Sequence, residues 1–198
     1  MQNIRFPLNF QFKIFTPSND FSVFDADGKE IAYTRQKIFK IKESVQIFRS
    51  SSDKTELYTI KADRIIDFNA VYTVRTSDGT VIGKTQRHGM KSLWKTSYVL
   101  FDAEGREVYR LHETNPMVAL VNGLIGEIPL LGALTGYFLN PTYALTAPDG
   151  REVYRLKKEP SFFERKFSLD KLAAADERDD VLVLNAAMML MLLERGDG

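Results

Sequence analysis

From Val181 to Leu193 the chain reads VLVLNAAMMLMLL, a run in which Asn185 is the single polar residue. Ala, Met and Leu favour a helix. Asp179 and Asp180 ahead of the run suit a helix N-terminus, and Gly196, just past Glu194 and Arg195, suits its stop. The pattern predicts a helix over 179–195. It leaves no polar stripe for water, and a helix apolar on every side is surrounded by protein or by lipid. At 1.5 Å per residue the apolar run is roughly 20 Å long, short of the ~30 Å hydrocarbon core of a bilayer. The helix is therefore expected to be a plug enclosed by the rest of the chain.

Upstream, polar and apolar positions alternate in short runs separated by turn signals. These are Asp25-Ala26-Asp27-Gly28, Ser50 to Asp53, Ser77-Asp78-Gly79, Asp102 to Gly105, and Pro148-Asp149-Gly150. Asp-Gly between alternating runs marks a hairpin, because Gly accepts the positive φ that such turns demand. Gly28, Asp53, Gly79 and Gly105 follow one another at steps of 25, 26 and 26 residues, and the step from Gly105 to Gly150 is 45, one further unit with an insertion. GREVYRL occurs at 105–111 and again, identically, at 150–156. Residues two apart on a strand share a face, so Tyr109 and Leu111 point one way, Val108 and Arg110 the other. The turns imply about twelve strands, at 8–15, 20–25, 29–36, 42–49, 55–62, 68–76, 80–87, 94–102, 106–113, 141–147, 151–157 and 161–168.

Twelve strands ~4.8 Å apart and tilted by ~40° close into a barrel roughly 24 Å across, and a helix ~10 Å wide fits along its axis. The expected fold is mainly β. It is a single domain over 1–198, an antiparallel closed barrel of about twelve strands threaded by a hydrophobic C-terminal helix, with a short helical insertion at 115–140.

The opening FQFKIF (10–15), DADGKEIAYTRQKIF (25–39), DGTVIGKTQR (78–87), FDAEGREVYRLHET (101–114) and the terminal VLVLNAAMMLMLL together resemble the tubby C-terminal-like superfamily. Its relatives include the LURP-one-related proteins and the phospholipid scramblases, and the chain looks like a small prokaryotic-type or LURP-one-related member across nearly its whole length. The resemblance implies the threaded barrel. For function it implies contact between basic side chains of the barrel wall and phosphoinositide headgroups, as tubby-like domains make, while many LURP-one-like members have no settled activity. The chain departs from scramblases in lacking a cysteine cluster and in its shorter terminal helix, so scramblase activity is not carried over.

Met117 to Leu139, within the insertion, has one charge, Glu127, and the length and apolarity of a membrane span. Glu127 and Pro129 near its middle oppose that reading, since a central acidic residue costs about 2.5–3.5 kcal/mol. A single span would also put the last strands on the other side of the membrane from the first nine. A helical hairpin or loop over one barrel mouth is the plainer reading, and a shallow membrane-dipping element or a dimer contact covering its apolar face are the others.

The chain has 198 residues, 44% hydrophobic and 27% charged, with a formal net charge of +1 and no cysteine. These values fit a soluble globular protein, exclude disulfides and thiol chemistry, and argue against a strongly basic nucleic-acid binder. The start MQNIRFPLNFQFK has no charged n-region followed by an apolar stretch, so a cytoplasmic protein is expected. His88 and His112 stand apart, without metal-ligand spacing, and no GxSxG, P-loop or GxGxxG motif is present. Asp25 to Glu30 has the look of a calcium loop, but Gln36 stands where a bidentate Glu is required. Neither catalytic residues, a metal nor a cofactor is expected.

Basic residues are the more suggestive chemistry. Lys37, Lys40 and Lys42 follow Arg35; Lys84, Arg87 and Lys91 surround His88, near Lys95 and Trp94; Lys157-Lys158 and Arg165-Lys166 form a third group. On an antiparallel wall such groups present cationic patches suited to phosphate headgroups. The expectation is a non-enzymatic binding module that contacts anionic phospholipid at a membrane surface through Lys37, Lys40, Lys42, Lys84, Arg87 and Lys91. The alternative is a soluble scaffold that dimerises or docks a partner through the apolar 117–139 insertion.

Overall fold

The computed structural model describes residues 3–12, 20–35, 44–64, 70–88, 97–114, 142–159 and 166–196. They form twelve strands: β1 (Leu8–Phe12), β2 (Phe21–Phe24), β3 (Glu30–Thr34), β4 (Ser44–Phe48), β5 (Glu56–Arg64), β6 (Val71–Thr76), β7 (Val81–His88), β8 (Ser97–Asp102), β9 (Glu107–Glu113), β10 (Thr142–Thr146), β11 (Glu152–Glu159) and β12 (Lys166–Lys171). Each pairs antiparallel with its sequence neighbours, and β1 pairs with β12, so the sheet closes into a barrel. The closure is an apolar match. Leu8 lies opposite Leu169 and Phe10 opposite Phe167, and all four are buried.

Alternation decides what faces inward. In β1, Leu8, Phe10 and Phe12 are buried while Asn9 and Gln11 are exposed. In β9, Tyr109 and Leu111 are buried and Arg110 is exposed, and in β11 Tyr154 and Leu156 repeat the arrangement. The second copy of GREVYRL therefore presents the same inner face as the first.

Inside runs the helix α1 (Glu177–Gly196). Every residue from Asp180 to Leu193 is buried. Burying one Leu, Val or Met side chain contributes about 1.5–3 kcal/mol, so the helix is an integral part of the core and not a detachable peptide. Gly83 in β7 lets it approach. A Cβ there would collide with the Phe101 carbonyl oxygen and lie 2.9 Å from Leu182 Cδ1.

Five hairpin turns lie at one end of the barrel. Gly28, Gly79, Gly105 and Gly150 close four of them with φ between 75° and 90°, and each glycine N–H donates to the carbonyl three residues earlier. The Ser50–Asp53 turn closes the fifth without glycine, the Ser50 N–H donating to the Asp53 carbonyl at 3.1 Å. The start of β1 and the passage from β12 to α1 lie at this same turn end. The strand ends that border residues 13–19, 36–43, 65–69, 89–96, 115–141 and 160–165 all lie at the opposite end.

Most strand boundaries differ from the sequence reading by one or two residues, and two differences bear on the helix and its seat. The last strand runs to Lys171, not 168: Phe167 and Leu169 alternate and pair inward with β1, and residues 161–165 of the expected strand lie outside the described residues. The helix begins at Glu177, so Asp179 and Asp180 sit inside its first turn, and the Asp180 N–H donates to the Asp176 carbonyl at 3.0 Å. The helical insertion expected at 115–140 lies outside the described residues.

Candidate functional site

The helix entrance is held by the repeated heptapeptide. Tyr109 and Tyr154 occupy the same position in the two copies of GREVYRL. The Tyr109 hydroxyl donates to Asp179 Oδ2 at 2.8 Å and the Tyr154 hydroxyl to Asp180 Oδ1 at 2.6 Å. Lys171 Nζ reaches the second carboxylate, 2.8 Å from Asp180 Oδ2, and also donates to the Ala175 carbonyl at 3.0 Å. Glu177, Asp179 and Asp180 in the first helical turn lie where the helix dipole favours negative charge. Burial, then the hydrogen bond to the carboxylate, pushes both phenols up from their ordinary pKa. Asp179 is also raised, by its burial and by the negative charges of Asp176, Asp180 and Asp102, against the Tyr109 hydrogen bond that lowers it.

These anchors tie the helix N-terminus to β9, β11 and β12. A cavity of about 1120 Å³ opens beside it, between α1 and the turns that follow β2, β4, β6 and β8. Ile82, Val108 and Leu182 supply part of its apolar lining, and Tyr58 reaches it from β5. Seven carboxylates and four basic side chains surround it, an excess of three negative charges. The turn end as a whole, taken as residues 3–7, 25–29, 49–55, 77–80, 103–106, 147–151 and 172–180, carries seven cations and ten acids. The six segments that join strand ends at the opposite end, 13–19, 36–43, 65–69, 89–96, 115–141 and 160–165, carry seven cations and four acids in sequence. The turn end is thus formally −3, and those six segments together are formally +3.

Of the six residues expected to contact headgroups, Lys37, Lys40, Lys42 and Lys91 lie outside the described residues. Lys84 is exposed on the outer face of β7, across from Thr73 of β6, which in turn lies across from Lys61 of β5. Arg87 is placed differently. It continues the inward row of Gly83 and Thr85 and lies opposite the buried Tyr98. Its Nε and Nη2 are enclosed and have no hydrogen-bond partner among the described residues. Lys84 and Arg87 therefore point to opposite faces of one strand. Several other wall cations are engaged with acids: Lys157 with Asp170 at 3.0 Å, Arg110 with Glu107 at 2.8 Å, Arg155 with Glu152 at 2.6 Å. Arg155 holds Glu152 below its ordinary pKa through their hydrogen bond.

His88 ends β7 and His112 lies in β9, with β8 between them. Among the described residues no three His, Asp or Glu side chains come together to hold a metal. Among them, too, no helix is long and apolar enough to cross a membrane. Sequence reasoning missed the acidic cavity, because its lining is gathered from strands far apart in the chain. The signal nearest to it was the pair of tyrosines repeated in GREVYRL.

No family model matches the chain, and no curated protein matches it. It is similar to an X-ray structure of a protein from Arabidopsis thaliana, at 10% identity and a TM-score of 0.44, over 96% of this chain and 91% of that one.

Proposed function

We propose that the protein is a non-enzymatic binding module of the tubby-like type that attaches to a membrane surface through anionic phospholipid headgroups. The end opposite the hairpin turns faces the lipid. The observation that supports this reading is the segregation of charge along the barrel, from −3 at the turn end to +3 in the segments joining strand ends at the other. Lys37, Lys40, Lys42 and Lys91 belong to those segments, interleaved with Ile38, Phe39, Ile41, Leu93 and Trp94. Cations alternating with apolar and aromatic side chains suit the boundary between headgroups and acyl chains. Each basic residue near an anionic leaflet contributes about 1 kcal/mol.

Liposome co-sedimentation with neutral and anionic vesicles, at low and high salt, tests the reading. Binding to anionic vesicles alone, lost at high salt, is expected, since exposed charges are screened. Charge reversal at Lys37, Lys40 and Lys42 should then abolish it. Binding to both vesicle types regardless of salt would move the contact to the 117–139 segment. A salt-insensitive dimer without vesicle binding would favour the scaffold alternative.

A further inference from the structure

The cavity at the turn end has features of a ligand site that the membrane reading does not use. Its lining joins apolar side chains on one side, Ile82, Val108 and Leu182, to a carboxylate-rich rim. Tyr58 lines it as well. Only 6% of this residue is exposed, and its hydroxyl makes no hydrogen bond among the described residues. Burial alone raises its pKa, with no partner contributing. The hydroxyl is not enclosed, so it meets water in the cavity, which the polar group of a ligand can replace. At the rim, burial and the charges of Asp176, Asp180 and Asp102 disfavour ionised Asp179, against the Tyr109 hydrogen bond. A positive charge placed in the cavity relieves that repulsion, and a negative one aggravates it.

We infer that this cavity binds an organic ammonium compound with an apolar, aromatic body: the ammonium group toward the Asp176 and Asp179 side of the rim, the body on the apolar lining, and a polar group of the body at the Tyr58 hydroxyl. The volume of about 1120 Å³ suits a ligand of drug-like size or larger. An anionic headgroup does not fit here, because the excess charge has the wrong sign. Both ends of the barrel then bind, with opposite preferences, and loss of one leaves the other intact.

The test is titration of the full chain with tryptamine, tryptophol and indoleacetate, three compounds that share a ring and differ in charge, followed by calorimetry or saturation-transfer NMR. Tryptamine is expected to bind saturably at one site, tryptophol about tenfold more weakly, and indoleacetate not at all. Tyr58→Phe should weaken tryptamine by about three- to tenfold with an unchanged melting temperature. Val108→Phe, which intrudes on the apolar lining, should weaken binding about tenfold or more, and Asp176→Asn should weaken it as well. Equal binding of indoleacetate overturns the proposal, as does tryptamine binding that ignores both Tyr58→Phe and Val108→Phe. Absence of saturable tryptamine binding also overturns it. Vesicle binding should be unaffected by Tyr58→Phe, which separates this site from the membrane reading.

Discussion

The rings of Tyr109 and Tyr154 meet edge to face, with centroids 5.4 Å apart and planes at 83°. Their hydroxyls diverge to adjacent carboxylates at the start of the central helix. The repeat in the chain thus has a physical reason. Two copies of one strand, separated by β10, deliver equivalent tyrosines to consecutive positions on one helix. That fixes both the rotation of the helix and the depth at which it enters the barrel.

The two tyrosines should differ in energetic weight. Tyr154 is fully buried and its acceptor, Asp180, is 6% exposed, so Tyr154→Phe leaves a buried carboxylate one donor short. A hydrogen bond to a charged group contributes about 1.5–3 kcal/mol, and that loss is expected in urea unfolding. Tyr109→Phe, whose partner Asp179 is less buried, should cost about 1 kcal/mol. The double variant should depart from additivity, since the rings touch and the acceptors are neighbours. Equal losses for the two single variants would contradict this account of the anchor.

Much of the barrel was legible along the chain, and the reasons are local. Asp-Gly turns at nearly equal spacing and strict alternation, as in Leu8, Phe10 and Phe12, are short-range signals that survive without knowledge of partners. The apolar run at Val181 announced a buried helix for the same reason. The last strand was less plain: no Asp-Gly turn follows it, and it runs to Lys171 where 168 was the expected end. The inward course of Arg87 was readable in principle from Gly83 and Thr85, but cationic composition drew attention to charge and away from face. The cavity was not legible at all, because its lining is gathered from turns, strands and a helix end far apart in the chain.

Gly83 should tolerate no side chain. An added methyl would press on the Phe101 carbonyl oxygen, which is backbone of the neighbouring strand and cannot turn away. Gly83→Ala is expected to cost about 1–3 kcal/mol by overpacking. Trimming the helix with Leu182→Ala in the same chain should not restore stability, because the carbonyl contact remains. Recovery in the double variant, measured by thermal unfolding, would show that Leu182 was the obstacle instead.

Asn185 is the one polar residue in the apolar run of the helix and is wholly buried. Its Nδ2 donates to the Val181 carbonyl at 2.8 Å, while Oδ1 has no hydrogen-bond partner among the described residues. Asn185→Ala removes an unsatisfied carbonyl and improves helix propensity, against a small cavity left behind. No loss of stability is expected, and a gain of up to about 1 kcal/mol. A loss above that size would show that Oδ1 is served by an internal water, which exchange-resistant water signals in NMR would then reveal.

Glu113 sets a pH dependence of the fold. It continues the inward row of Tyr109 and Leu111 at the end of β9, opposite Tyr143, and its Oε1 is enclosed without a partner among the described residues. Burial raises its pKa from 4.5 to about 7. The folded chain therefore holds this proton more tightly than the unfolded chain does. Its contribution to stability is fully present below about pH 4.5, is lost as pH rises through about 7, and is constant above that. Glu113→Gln keeps the shape of the protonated side chain and cannot ionise. The variant should match the parent at pH 4.5 and exceed it at pH 8 by about 1–2 kcal/mol, less than the full shift implies because the carboxyl is only part-buried. The check is urea unfolding of both chains across this range. Parallel pH profiles would mean that the Glu113 carboxylate finds a counter-charge in the folded state, and the enclosed Arg87 guanidinium, two strands away across β8, would be the first candidate to mutate.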